Sequence, residues 1–406
     1  MLWLYNFGIF FYGLLIRLVA PFNPKAKLFV QGRKNIFSSI REKINPDDRT
    51  IWFHFASLGE FEQGRTVLEK VKENHPEKKI VITFFSPSGY EIRKNTPLAD
   101  AVFYLPLDTP NNAEQFIDLV HPDLAIFTKY EFWYNYFKVL DRRFIPLFVI
   151  SSIFRPNQIF FKWYGGLQRK TLSYVTQFFV QNKESEQLLL NIGIKNVNVT
   201  GDTRFDTVAL NALNTPENIL IEDFIDGDPA LIAGSTWPAD EVLLAGLLKN
   251  HDNWKLVIAP HEVHESHINQ IQQIFPEAIK YSELLKHPKL SSRVLIIDNI
   301  GLLSSLYQYG WVAYIGGGFG VGIHNTLEAA AFALPVIFGP NYQKFQEAKD
   351  LIGLKAASSI SNAEELETAF KLYKHDLVYG FMAKIYVKQK TGATKMITQA
   401  VEIFLD

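Results

Sequence analysis

The 406-residue chain contains no cysteine. Disulfides, thiolate nucleophiles and cysteine-held metals are excluded together, and the absence fits a reducing compartment. Charge of one sign is also missing, since Lys+Arg 41 stands against Asp+Glu 42. That balance argues against nucleic acid as a partner, because such binders work through an excess of positive charge. No dinucleotide fingerprint is present either. The run Gly316-Gly317-Gly318-Phe319-Gly320 would need a further glycine at 321 or 323, where Val321 and Ile323 stand, so NAD or FAD is not expected. The metal pattern H-E-x-x-H, started at His261, would need histidine where Glu265 stands. His261, His264 and His267 read better as donors toward a phosphate than as metal ligands, and no metal is expected. What the chain does have is rings. Phe 33, Tyr 17 and Trp 7 in a neutral chain leave apolar surface that needs covering.

Part of that surface is at the start. Residues 1–22 are apolar with Arg17 as the only charge, and Lys25, Lys27, Arg33 and Lys34 follow. A cleaved signal peptide has the reverse order, basic before apolar. Residues 1–16 would make about 24 Å of helix against roughly 30 Å of hydrocarbon. The expectation is a membrane anchor that lies in the interface or barely spans, with the globular body and the basic flank on the cytoplasmic side. A core helix packed on its own domain is the competing reading.

The length exceeds what one core usually fills, so two domains are expected. Runs of buried-strand type alternate with helical patterns from Ile51 onward: Ile80–Phe85, Ala101–Leu105, Leu124–Phe127, Ile145–Ile150, Gln177–Gln181 and Val197–Thr200. Such alternation means a parallel sheet covered on both faces. Residues 210–228, rich in Asn, Asp, Glu, Pro and Gly, read as an interdomain linker. The pattern then restarts at Ala230–Ala233, Trp254–Ala259, Val294–Ile297, Val312–Ile315 and Pro335–Phe338. The expected fold is α/β of the GT-B kind, two αβα Rossmann-like domains facing across a cleft. The expected boundaries are 1–22 anchor, 30–209 first domain, 210–228 linker and 229–406 second domain, with the last helix packing back on the first.

In open α/β sheets, functional groups gather where strands end. Ile51 to Phe55 breaks at Ser57-Leu58-Gly59 and restarts as a helix with Glu60 in its first turn. A glycine there permits a tight turn and the close approach of a ligand. The positive end of the helix holds the Glu60 carboxylate ionised, as a general base needs to be. Capping of the helix is the simpler alternative. Leu124–Phe127 delivers Glu131 to the same edge, and Arg204 follows Val197–Thr200, where it either meets a developing negative charge or makes a surface ion pair. Gly316-Gly317-Gly318 is a strand-to-helix turn whose amides suit phosphate, and Glu328, one turn on, suits paired ribose hydroxyls. Between Phe154 and Lys170 basic and aromatic residues interleave; lipid headgroups and a half-buried helix explain the stretch equally well.

Taken in order, Trp52-Phe53-His54, Ser57-Leu58-Gly59-Glu60, Tyr104-Leu105-Pro106-Leu107-Asp108, Glu131-Phe132-Trp133, Gly201 with Arg204-Phe205-Asp206, Ala233-Gly234-Ser235-Thr236, Pro260-His261 and His324-Asn325-Thr326-Leu327-Glu328 resemble the 3-deoxy-D-manno-octulosonic acid (Kdo) transferases of lipopolysaccharide assembly. The resemblance covers nearly the whole chain. It implies a metal-independent GT-B glycosyltransferase at the cytoplasmic face of the inner membrane, peripheral or single-pass. That enzyme moves Kdo from CMP-Kdo to a hydroxyl of a lipid A precursor and uses no cofactor beyond its donor. By resemblance Glu60 is the general base, and Glu131 and Arg204 stabilise the transition state. Ser57, Gly59 and Gln63 lie on the acceptor side. Pro260, His261, Ile300, Gly301, Leu302, Gly316, Gly317, Gly318, Asn325, Thr326, Leu327 and Glu328 contact CMP, with Ser235 and Thr236 as further donor contacts. Leu302 stands where the family commonly has glutamate, Thr326 where it commonly has proline, and His261 where it often has another basic residue. The alternatives are a lipid-directed GT-B enzyme using a UDP-sugar, a silent membrane-bound scaffold, and a metal hydrolase.

Overall fold

In the computed structural model, which describes residues 1–405, two seven-stranded sheets, all parallel, form the centres of two units. The first unit comprises Met1–Thr207 and the stretch from Thr391 onward; the second is Val208–Lys390. Three helices come first: α1 (Leu2–Val19), α2 (Pro24–Gln31) and α3 (Ile36–Lys43). The first sheet contains β1 (Thr50–Phe55), β2 (Lys79–Phe84), β3 (Ala101–Tyr104), β4 (Pro122–Thr128), β5 (Leu147–Ser152), β6 (Gln177–Val180) and β7 (Val197–Val199). Its order is β3-β2-β1-β4-β5-β6-β7, so β1 sits inside the sheet, hydrogen-bonded to β2 and β4. All six residues of β1 are buried, as a strand covered on both faces must be. The following helix, α4 (Leu58–Asn74), buries Phe61, Val67, Leu68 and Val71, the side its periodicity marks.

The second unit repeats the plan with β8 (Ala230–Thr236), β9 (Lys255–Pro260), β10 (Ile279–Lys280), β11 (Val294–Ile296), β12 (Val312–Ile315), β13 (Val336–Phe338) and β14 (Ala357–Ser359). The order is β10-β11-β9-β8-β12-β13-β14. These are the two Rossmann-like halves of a GT-B protein. Residues 210–228 are not structureless: they hold the end of helix Thr203–Leu213 and all of helix Ile219–Ile225. The edge strands β10 and β14 have no counterpart in the sequence pattern.

The apolar start is a helix, yet it is no core helix. Of α1, only Gly13 is buried, while Trp3, Phe7, Phe10 and Leu18 are each more than half exposed. Its 18 residues give about 27 Å, long and apolar enough to approach a bilayer's hydrocarbon thickness. Polar contacts fix it to the body, among them Asn135 Nδ2 donating to Asn6 Oδ1 at 3.1 Å. The Tyr5 hydroxyl donates to Asp108 at 2.5 Å, and Asp108 also accepts the backbone N–H groups of Asn135 and Tyr136 at 3.0 Å each. Gly13 lets the helix come close, since a Cβ there would lie 2.7 Å from Leu107.

The chain re-enters the first unit through a further polar contact. Asp206 accepts the backbone N–H groups of Gly392 at 2.8 Å and Thr394 at 3.3 Å, and the hydroxyls of Thr66 and Thr394 meet at 2.7 Å. Helix Ala393–Leu405 then buries Ile397 and Val401 in the core beside α4. Removing the Asp206 carboxylate strands two amides. Asp206→Ala is expected to cost about 1–3 kcal/mol and to speed hydrogen exchange in 393–405 while leaving β1 and β2 protected; unchanged exchange there would show that packing alone holds the helix.

Candidate active site

In the first unit, the carboxyl ends of β1, β4, β5 and β7 carry the candidate side chains. Glu60 lies in the first turn of α4, where the Ser57 hydroxyl donates to its carboxylate. Gly59 is not needed for the turn: its φ is not positive, and a Cβ there would find only Ser57 Oγ at 3.8 Å. It leaves open space over the helix start, which suits ligand approach. The packing glycine is Gly64, where a Cβ would lie 2.5 Å from the Phe55 ring.

Glu131, just beyond β4, accepts from Trp133 Nε1 at 3.0 Å and faces His54 Nε2 at 3.5 Å. His54 is wholly buried, and its Nδ1 lies 2.8 Å from Thr83 Oγ1. Thr83 already accepts from Trp52 Nε1 at 2.8 Å, an obligate donor. Its single hydrogen is then best given to His54 Nδ1, which leaves the His54 proton on Nε2, pointing to Glu131. The line Trp52, Thr83, His54, Glu131 aims this carboxylate from inside the sheet. Of the four, the pattern of the sequence singled out only Glu131 as functional.

Arg204 is paired rather than isolated. Its Nε and Nη2 each lie 2.8 Å from Asp202 Oδ2, and Asp202 Oδ1 accepts from Gln63 Nε2 at 2.7 Å. Asp202 thus joins Arg204 to Gln63 of α4. Tyr130 marks where these groups converge. Burial pushes its hydroxyl up, and the charges of Arg155, Asp202, Arg204 and Glu60 all act on it. Arg155, Asp202 and Tyr130 carried no sequence motif of their own. Lys129 and Ser151, at the ends of β4 and β5, have φ of 60° and 50°. Left-handed non-glycine residues cost about 1 kcal/mol or more each and collect at functional sites.

In the second unit, the ends of β8, β9 and β11 enclose a cavity of about 170 Å³ lined by Ser235, Pro260, His261, Asn299, Ile300 and Gly301 among others. Five of the expected donor contacts meet there. Ser235 has φ of 53°, and Gly301 needs its missing Cβ, with φ of 105°. Leu302 follows as the residue before helix Leu303–Leu306. Beside the cavity three rings stack: Trp237 on His261 at 4.9 Å and His261 on His324 at 4.3 Å. The next segment is held by Asn325, which accepts the Leu327 N–H at 3.0 Å and donates to Glu328 at 2.9 Å. Thr326 is buried, its hydroxyl without a partner among the described residues.

Two sequence expectations need correcting. Thr236 is fully buried and donates to Glu241 at 2.9 Å, which in turn pairs with His267 at 3.0 Å. Its hydroxyl serves the core, not a donor. The Gly316-Gly317-Gly318 run is not a phosphate cradle opening a helix. The Gly316 N–H goes to Gly234 O at 2.9 Å and the Gly317 N–H to Asp240 at 3.1 Å, and the next helix starts only at Leu327. The glycines are there because backbone approaches backbone: a Cβ on Gly316 would lie 2.3 Å from Ser235 O, and one on Gly318 2.6 Å from Gly339.

Comparison with known proteins points to one family. Residues 31–207 match the family model described as 3-deoxy-D-manno-octulosonic-acid transferase (kdotransferase). A 3-deoxy-D-manno-octulosonic acid transferase from Haemophilus influenzae is 29% identical over 80% of this chain and 79% of its own length. One from Aquifex aeolicus is 26% identical over 81% of this chain and 87% of its own. Over most of its length the chain resembles Kdo transferases, and residues 31–207 carry the match to the family model. The fold agrees with a solved UDP-GlcNAc 2-epimerase from Neisseria meningitidis, with TM-score 0.63 over 87% of this chain and 99% of that one, at 17% identity. The likeness to Kdo transferases supports a glycosyltransferase, and the two strand-edge clusters are its candidate sites.

The imidazole stack has a pH signature. Burial first, then the neighbouring His261, hold His324 below the ordinary histidine value of 6.5. A depressed histidine favours the fold while neutral and loses that contribution as pH falls through its titration. His324 is expected to titrate below 6.5 by NMR, and His261→Gln is expected to move it only part of the way back, because burial is the larger cause. Full return to the ordinary value would assign the shift to His261 alone.

Proposed function

We propose that this glycosyltransferase moves Kdo from CMP-Kdo to a hydroxyl of a lipid A precursor, lipid IVA, at the cytoplasmic face of the inner membrane. The observation that carries the reading is Glu60 at the start of α4, beside the converging charges of Asp202, Arg204 and Arg155 around Tyr130. Glu60 takes the proton of the acceptor hydroxyl, helped in orientation by Ser57. The acceptor oxygen attacks the anomeric carbon of Kdo as the bond from that carbon to the phosphate oxygen breaks, and CMP leaves with the bonding pair. Glu131, aimed by His54 and Trp133, faces positive charge developing on the sugar. Arg204, held in place by Asp202, faces the anionic groups. Gln63 holds Asp202 in place, and the open space above Gly59 admits the acceptor.

Ser235, Pro260, His261, Ile300, Gly301 and Leu302 receive the nucleotide, and His261 with its stacked neighbours meets the departing phosphate. Asn325 to Glu328 approach the ribose, Glu328 accepting from its hydroxyls. Gly316 to Gly318 keep that loop against the sheet. Donors fixed before the reaction stabilise charge that appears during it, and such preorganisation is often the largest catalytic term. CMP-Kdo is the donor and no further cofactor is invoked. Helix α1, apolar and exposed, holds the enzyme at the bilayer where an acylated acceptor resides.

The test is transfer of Kdo from CMP-Kdo, generated in situ, to tetraacylated lipid A precursor, with nucleotide binding followed by calorimetry. Product formation and preference for CMP over UDP are expected. No product from CMP-Kdo, together with tighter UDP binding, would move the enzyme to a UDP-sugar.

A further inference from the structure

A second cavity, of about 600 Å³, lies among α1, α2, α3 and the turn after β3, and neither Glu60, Glu131 nor Arg204 lines it. That is the size of ordinary ligand pockets. Its lining contains Arg17, Arg33 and Lys34 and no acidic residue. Ile16, Val30, Phe37 and Leu107 supply apolar wall. No carboxylate among the described residues pairs with any of the three cations.

Arg33 is the informative one. Its guanidinium is half-buried and donates only to neutral acceptors: Leu105 O at 2.8 Å, Phe29 O at 3.1 Å and Phe85 O at 2.8 Å. Rings surround it, with the Phe29 centroid at 3.5 Å, Tyr104 at 4.9 Å and Phe85 at 5.2 Å. Those contacts fix the group, but they supply no counter-charge, and a buried ion without one is costly. Burial holds its pKa down to about 9, still protonated at neutral pH, and the groups acting on it are tyrosines. Three of its five N–H groups reach carbonyls, which leaves donors for a ligand.

Gly13, Ile16 and Arg17 of α1 line the cavity, and the exposed Phe10, Leu14 and Leu18 lie on the same helix. A ligand that satisfies this place must carry an anion for Arg17, Arg33 and Lys34 and an apolar part for the wall and the helix. We infer that the cavity binds an anionic phospholipid of the bilayer, its headgroup phosphate on the three cations and its acyl chains along α1. Free phosphate would leave the apolar wall wet, and a zwitterionic lipid would return a positive charge to an already cationic pocket. The inference uses the membrane placement of α1 and is independent of which sugar is transferred. Headgroup binding would also hold α1 at a fixed depth, with Tyr5 still on Asp108.

The test uses the full chain in detergent micelles, titrated with phosphatidylglycerol and followed by native mass spectrometry. One tightly held lipid per chain is expected. Arg17→Ala with Lys34→Ala should weaken it about thirty-fold, at about a kilocalorie per charge. Ser38→Trp, which narrows the mouth without removing charge, should weaken it as well. Lys25→Ala with Lys27→Ala, which removes two charges outside the cavity, should change it less than about three-fold. Arg33 is left in place because its carbonyl bonds tie three segments together. Equal loss in both double variants would make this general surface charge and overturn the site. So would equal retention of phosphatidylcholine, full displacement by inorganic phosphate, or a Ser38→Trp protein that binds normally. Retention of the phosphorylated acceptor but not of phosphatidylglycerol would overturn it too, by giving the cavity to the substrate.

Discussion

A parallel sheet covered on both faces has no place for polar chemistry except where its strands end. β1 shows the constraint most clearly. Every one of its residues is buried, it is bonded on both sides, and its one ionisable side chain, His54, is enclosed between Thr83 and Glu131. All that the strand can offer a substrate must appear at Ser57 to Glu60, one turn past its last residue. The same constraint in the second unit collects Ser235, Pro260, His261 and Gly301 around one small cavity. Both sites are consequences of burial, before any question of which sugar is used.

Polar groups inside the first unit then set where the edge groups point. Asp202 joins Gln63 to Arg204, His54 backs Glu131, and Asp108 collects Tyr5 and two amides of the segment after Glu131. Tyr5 belongs to the exposed apolar helix. The exposed apolar helix and the start of helix Tyr134–Arg142, just past Glu131, are therefore held by one carboxylate, so displacement of α1 would be felt at 134–136.

Much of the fold could be read from the sequence, and for a physical reason. Long runs such as Ile80–Phe85 are apolar because both faces of the sheet are covered, and such runs announce buried strands. The edges β10 and β14 went unseen because two or three residues at a sheet margin need not be apolar. Candidate residues stand out in the sequence where a carboxylate follows an apolar strand, as at Glu60 and Glu131. Those that act through partners distant in sequence, such as Thr83 on His54 or Asp202 on Gln63, were silent because only the folded chain brings them together. The glycine run misled for the converse reason. Its glycines make room for backbone, at Ser235 and Gly339, and a sequence shows a missing side chain without showing what fills the space.

The central claim is that the group at the start of α4 takes the acceptor's proton. The direct measurement is single-turnover transfer by Glu60→Gln, with CMP binding and thermal unfolding compared in the same preparation. The account predicts a folded protein that binds CMP as the native chain does and transfers about 10²–10⁴-fold more slowly. Transfer at the native rate by that variant would contradict it and leave Glu60 as a cap on its helix.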